Sequence, residues 1–425
     1  MGQKISAPSA KASIKIVEGK IVQAQTQDSI RLTAPPGLSS RSQLLLLGFF
    51  RVFRSVSAGM IAIAFPYLVL NTLHRGALFL GLIYTSGAIA TGVLGFAIGF
   101  VTDIWSRKGA LILVGAMLPL SAALVFYSQK PLVLFTAAII GGFSATGSLM
   151  GGGVGGAAQP VQNAVIAVLA SNNDRTFYFS IFTFISGMFA AVGTLLARLV
   201  SVHDAFGAAS IISLVGVACL APLQFPKSRG RLNRLTSKEV IGKFSFTGAL
   251  NGFSQGLVTP FLIPFMLLVY HVPKSEMSIY GFIAGTIGSI ALLAAPRLDR
   301  LFGFVRSIAI TRGLGTALLV LLPLWHSFHF AIIVYFLTPA LRVAALPAQQ
   351  NALVGMVADD ELGRALALNQ VTRLGASASA ITFTGRMFSD ADIGVPFYVY
   401  GAIMAVNILL YFRFFDHPRH EPMSE

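Results

Sequence analysis

Between residues 44 and 415 the chain is a succession of long apolar runs broken by short polar or charged turns. A run of about twenty apolar residues is long enough to cross a hydrocarbon core about 30 Å thick as a helix. Only a helix or a closed barrel keeps its backbone hydrogen-bonded there. The pattern predicts twelve spans: Leu44–Leu70, Ala77–Val101, Ala110–Tyr127, Leu132–Leu169, Phe177–Val200, Ala205–Phe225, Phe244–Tyr270, Met277–Ala295, Phe304–Trp325, Phe330–Val357, Ala365–Phe388 and Val395–Phe415. The expected fold is therefore an all-α membrane protein. It divides into a polar tail (1–43), a first bundle of six helices (44–225), a basic linker (226–243), a second bundle (244–415) and a short polar tail (416–425). Residues 14–22 alternate around Glu18-Gly19 as a small hairpin would, but an isolated hairpin is marginal in water, so the first tail is expected to be unstructured.

Composition agrees. The 425 residues are 55% apolar and 11% charged, against about 25% charged in an ordinary soluble protein. A single cysteine, Cys219, excludes an internal disulfide framework and a cysteine-based metal cluster. A net charge of +15 would suit nucleic acid, but the basic residues gather in alternate connectors. Arg107, Lys108, Arg175, the linker, Arg297, Arg300, Arg306, Arg364 and both tails fall on one side. Arg75, Lys130 and Lys274 fall on the other. The positive-inside rule makes the first side cytoplasmic, and the partner of this charge is the lipid bilayer, with no nucleic acid. Met1-Gly2-Gln3-Lys4-Ile5-Ser6 fits an N-myristoylation pattern, although a plain polar tail is the preferred reading. No signal-peptide core precedes the first span.

The two bundles read as copies. Pro160-Val161-Gln162-Asn163-Ala164 closes the fourth span, and Pro347-Ala348-Gln349-Gln350-Asn351-Ala352 closes the tenth. Gly187 and Arg198 on the fifth are spaced as Gly375 and Arg386 on the eleventh. Between the second and third spans lies Gly99-Phe100-Val101-Thr102-Asp103-Ile104-Trp105-Ser106-Arg107-Lys108-Gly109. Pro296-Arg297-Leu298-Asp299-Arg300-Leu301-Phe302-Gly303 answers it between the eighth and ninth.

Gly99, Asp103, Arg107, Lys108 and Leu111 resemble the second-to-third-helix loop of the major facilitator superfamily, with Val101 a mild variant. Ile104 and Ser106 depart from that pattern, standing where a basic residue and a glycine are usual. The resemblance covers roughly residues 44–415. It implies two pseudo-symmetric six-helix bundles, transport by alternating access, and a loop aspartate that braces the start of the eleventh helix. Asp103 would then pair with Arg364 or Arg373, and Asp299, beside Arg300, with Arg175 at the start of the fifth helix.

The fourth span departs from the repeat. As a continuous helix its 38 residues would measure about 57 Å, almost twice the hydrocarbon thickness. It also holds Gly147, Gly151, Gly152, Gly153, Gly155 and Gly156. The expectation is a glycine-rich insertion that breaks or kinks this helix near its middle, or else small residues permitting close helix packing.

No acid or histidine falls inside a predicted span, whereas arginines do. Arg54 and Arg342 lie near mid-membrane, with Arg312 and Arg373 nearer the cytoplasmic side. An arginine at such depth costs about 2.5–3.5 kcal/mol even on the lenient scale. It is therefore expected to face water or a partner. Arg198 and Arg386 can snorkel from span ends, and Arg51 shares a face with Arg54 but is shallower. The expected substrate cavity comprises Arg54 and Arg342 with the polar residues Ser57, Asn251, Gln255, Gln349, Asn369 and Gln370. A structural account remains open for Arg342 and for each polar residue as a helix-to-helix contact.

Guanidinium forks suit carboxylate or phosphate, and arginine does not deprotonate. The function expected is therefore movement of a small organic or inorganic anion, by uniport, exchange or coupling to another ion. Efflux of a neutral or amphipathic compound is the second hypothesis, and a non-transporting scaffold or sensor the third. No catalytic constellation, metal-ligand set or nucleotide-binding loop is present, so neither an enzyme nor a cofactor is expected. The chain is expected to act as a monomer in the plasma membrane with both termini inside.

Overall fold

The computed structural model describes residues 39–104, 107–143, 175–223, 238–344 and 362–415, with the single positions 162, 165, 166, 169 and 357. Among the described residues twelve helices follow the predicted spans in order: α1 (Ser40–Thr72), α2 (Ala77–Ile104), α3 (Arg107–Tyr127), α4 (Pro131–Gly141), α5 (Arg175–Leu196), α6 (Asp204–Ala218), α7 (Lys238–Tyr270), α8 (Lys274–Phe302), α9 (Phe304–Leu321), α10 (Phe328–Ala344), α11 (Leu362–Ser389) and α12 (Val395–Phe415). Eight are long and apolar enough to cross a membrane, and α4, α6 and α10 are shorter apolar helices. The remaining one, α11, is long but carries Arg364, Asn369, Gln370, Thr372 and Arg373 in its first half.

Local chemistry sets several of these ends. The Ser39 hydroxyl accepts from the Ser42 amide at 3.2 Å and opens α1. Pro66 removes a donor near its far end, and the helix widens there into a π turn over Leu68–Thr72. In α7 the equivalent irregularity is a 3-10 turn, Thr259–Phe261, built on Pro260. Helix α4 starts with Pro131 in its first turn and stops at Gly142, whose φ of 59° is left-handed. The glycine cluster at 147–156, where the break was expected, lies outside the described residues, as do the possible hairpin at 14–22, the linker up to 237 and the last tail.

The two bundles pack by one scheme. Helix α1 lies against α5 and α6, α3 against α4 and α6, and α2 against α4. In the second bundle α7 lies against α11 and α12, α9 against α10 and α12, and α8 against α10. The first and fifth helices of each bundle cross closely. A methyl group added at Gly59 would collide with the Ala190 carbonyl, and one at Gly252 with the Arg373 carbonyl. Between bundles the main contacts are α2 with α11 and α5 with α8, which the same two-fold exchanges.

Those cross-bundle contacts concentrate at the end remote from the chain termini. The Leu78 amide donates to Ser389 Oγ at 2.8 Å, and Thr85 Oγ1 meets Thr382 Oγ1 at 2.8 Å and the Ala378 carbonyl at 3.0 Å. On the opposite seam Lys274 Nζ donates to the Val200 carbonyl, and Gly281 and Gly285 pack on Thr194 and Ala191. Tyr67 Oη donates to the Val272 carbonyl at 2.5 Å. Here a single apolar core runs through both bundles, with Phe65 touching Tyr84, Phe143 and Phe206. At the other end the apolar clusters are separate. One, around Leu47, Phe50 and Leu111, belongs to the first bundle, and those around Phe244 and Ile308 belong to the second. Among the described residues, therefore, the bundles are joined at the end remote from the termini.

Candidate functional site

Several polar side chains are buried or half-buried within the helices of both bundles. In the first bundle Arg51, one-third of the way along α1, is 5% exposed. Its Nε donates to Ser186 Oγ on α5 and its Nη1 to Gln162 Oε1. Arg54, one turn further on, is 8% exposed and lies within electrostatic reach of Arg51. Ser57, on the same helix, is fully buried and returns its hydroxyl to the Phe53 carbonyl at 3.0 Å.

The second bundle holds its arginines differently. Arg342 on α10 is half-buried, and its Nη1 donates to Thr259 Oγ1 at 3.1 Å and more weakly to Gln255 Oε1 at 3.4 Å. Thr259 in turn donates to Gln255 at 2.9 Å, so the irregular turn of α7 and the helix before it form one acceptor platform. Arg373 on α11, also half-buried, donates to Gln370 Oε1 at 2.9 Å. Arg342 and Arg373 lie within electrostatic reach of each other. Asn251 on α7 and Asn369 on α11 each bury a side-chain oxygen that receives no hydrogen bond. Asn369 is pressed against Gly248, where no larger residue would leave it room.

Arg312, on α9, lies within electrostatic reach of Arg373. Its Nη1 donates to Asn407 Oδ1 at 2.6 Å, the Asn407 amide donates to the Thr247 carbonyl at 2.8 Å, and the guanidinium lies 4.8 Å from the centre of the Tyr411 ring. It ties α9, α12 and α7 together within the bundle. The ion pairs formed among the described residues, His203–Asp204, Lys243–Glu239 and Arg386–Asp390, all stand at helix ends. Arg51, Arg342 and Arg373 have neutral oxygens for their hydrogen-bond partners among those residues.

The structure thus brings Gln255 to Arg342 and Gln370 to Arg373, while Ser57 serves its own helix. Gln349 lies outside the described residues. Of the loop residues, Gly99 and Asp103 are in the last turns of α2, and Arg107 opens α3. Lys108 Nζ donates to the Ala221 carbonyl at 2.6 Å, just past α6, where a cation complements the helix C-terminus. Asp299 and the exposed Arg300 end α8, while Arg175 opens α5 and Arg364 falls in the first turn of α11. The side chains of Asp103, Arg107, Asp299, Arg175 and Arg364 lie outside the described residues.

Four partners went unrecognised in the sequence as site residues. Gln162 was legible only as half of the repeat, and Ser186 had no signal beyond its neighbour Gly187. Thr259 precedes a proline that breaks its helix, so helical spacing could not place it opposite Arg342. Asn407, an isolated amide in the apolar run of α12, was the strongest missed clue, because a buried amide needs a partner.

Among curated proteins, none matches the sequence. Solved structures share the fold at low identity. The nucleoside transporter NupG has a TM-score of 0.67 at 13% identity, over 88% of this chain and all of its own. The human organic anion transporter MFSD10 (TETRAN) has 0.68 at 12%, over 89% of this chain and 100% of that one. A D-xylose-proton symporter has 0.68 at 15%, over 88% and 97%. The family model of the Major Facilitator Superfamily matches residues 47–243 and again 244–425. With twelve helices in two like bundles, sealed at one end, the chain belongs to the major facilitator superfamily and is an integral membrane transporter of small solutes.

Proposed function

We propose that the solute is a small organic or inorganic anion, bound between the bundles and moved by alternating access. The observation that carries this reading is the pair Arg342 and Arg373. They are half-buried cations with only amide and hydroxyl oxygens from the described residues around them. Guanidiniums whose partners among the described residues are neutral favour an anionic guest and disfavour a cation. Arg54 adds positive charge from the first bundle. The fold shared with an organic anion transporter is compatible with this reading, as it is with nucleoside and sugar transport. The Lys/Arg asymmetry of the connectors supports cytoplasmic termini, and the reading is of a monomer in the plasma membrane. The sealed end is then external. Asp103 and its counterpart Asp299 would steady the opposite state, since α2 runs along α11 and α8 along α5.

The test is reconstitution of the purified protein in liposomes with labelled lactate, succinate, glycerol phosphate and inorganic phosphate, beside a lipophilic dye. Uptake of at least one anion, lost in Arg54→Ala and in Arg342→Ala, is the expected result. Dye movement indifferent to both substitutions, with no anion uptake, would overturn it.

A further inference from the structure

Tyr335 stands on α10 two turns nearer the joined end than Arg342. It is 1% exposed, and its hydroxyl has no hydrogen-bond partner among the described residues. A serine or threonine in a helix can return its hydroxyl to the carbonyl one turn back, as Thr338 does to Val334 at 2.7 Å on this same helix. A tyrosine hydroxyl, held at the far side of its ring, has no such local outlet. Nor does Tyr67 supply one. That residue, on α1 of the other bundle, lies within electrostatic reach of Tyr335, but its single proton goes to the Val272 carbonyl at 2.5 Å. The backbone of Tyr335 is short of a donor as well, because Pro339 lacks the amide that would meet its carbonyl one turn on. Tyr335 thus belongs to the apolar core that both bundles share, at a point where they face each other, with its polar groups poorly served.

We propose that Tyr335 is a positioning residue of the transport cycle, its hydroxyl unsatisfied while the bundles are joined and satisfied by water once they part. The contacts across the joined end, from Tyr67 to Val272, from Lys274 to Val200 and from Leu78 to Ser389, all favour closure. A carrier working by alternating access must leave that state on every cycle, so the closed and open forms have to stay close in free energy. A buried hydroxyl without a partner opposes closure, since it forfeits its hydrogen bonds to water and gains none in return. Parting the bundles withdraws α1 from Tyr335 and lets water reach it. The two tyrosines therefore act in opposite senses: the Tyr67 hydroxyl holds the end shut and the Tyr335 hydroxyl keeps it from staying shut. Any solute moved by alternating access would be served alike.

The experiment uses the full-length protein, purified in detergent, with a cysteine at Thr85 on the α2–α11 seam in a Cys219→Ser background. It measures the rate of maleimide labelling and the thermal unfolding midpoint. Tyr335→Phe removes the hydroxyl and keeps the ring. Labelling is expected to slow on the order of tenfold and the midpoint to rise. Tyr67→Phe takes a donor from the Val272 carbonyl, so labelling is expected to quicken about fivefold and the midpoint to fall. Tyr335→Phe labelled as fast as its parent overturns the proposal, and so does an unfolding midpoint below the parent's, which would mean that the hydroxyl was already satisfied. Tyr67→Phe shifting labelling in the same direction as Tyr335→Phe would overturn the opposition between the two. No solute is added, so failure here leaves anion transport standing, and failure of anion uptake leaves Tyr335 in its role.

Discussion

The two bundles share a packing scheme, but Arg51 of the first and Arg342 and Arg373 of the second are held in different ways. In the first, Arg51 is sealed between α1, α5 and Gln162, with its donors committed inside the bundle. In the second, Arg342 and Arg373 are half-buried on α10 and α11, leaning on side-chain oxygens of Gln255, Thr259 and Gln370. The backbone symmetry is thus structural, while the chemistry is carried asymmetrically. A buried guanidinium with its hydrogen bonds made holds helices together. A half-exposed one on neutral acceptors has charge left to offer a solute.

Substitutions should separate these roles, and the largest effect is expected in the second bundle. Arg342→Gln should lower anion uptake by about 100-fold, equivalent to the ~2.7 kcal/mol that a charge-assisted contact can contribute, with little change in thermal unfolding. Arg51→Met should do the reverse. It orphans Gln162 and Ser186 in a buried setting, at a cost of about 2 kcal/mol, read as a lower unfolding midpoint in detergent, while the folded fraction still transports. Gly59→Val and Gly252→Val probe what the bundles have in common. Each drives a side chain into a facing carbonyl and should cost about 1–3 kcal/mol, by similar amounts in the same unfolding assay. A large inequality would mean that the two crossings are not equivalent.

The seams differ more subtly. Lys274→Met removes a charged donor from the Val200 carbonyl, whereas Ser389→Ala removes a neutral contact with the Leu78 amide. Losing about 1 kcal/mol at the first should shift the population away from the sealed state about fivefold. The second should shift it less. Labelling of a cysteine introduced at Thr85, in a Cys219→Ser background, measures both.

Most of the architecture was legible because membrane helices announce themselves by length and apolarity. The twelve spans, the repeat and the basic connectors all followed from the pattern of residues. The exceptions have physical causes. Helix α4 stops at Gly142, which adopts a left-handed conformation that the pattern of apolar residues does not signal. The π turn after Pro66 and the 3-10 turn at Pro260 shift the helical phase, which spacing on an ideal helix does not register. Depth along a span identified Arg54 and Arg342. It could not tell that Arg51 would be pinned by residues 111 and 135 positions away, since that depends on which helices meet. Arg312 likewise was visible as a deep cation, but its engagement by Asn407 and Tyr411 required the pairing of α9 with α12.

The contrast between bundles is tested most directly by equilibrium binding of the transported anion to purified protein, measured calorimetrically for the wild type, Arg342→Gln and Arg51→Met. The account predicts that binding is lost in Arg342→Gln and retained in the folded fraction of Arg51→Met. Equal affinity in the wild type and Arg342→Gln would contradict it.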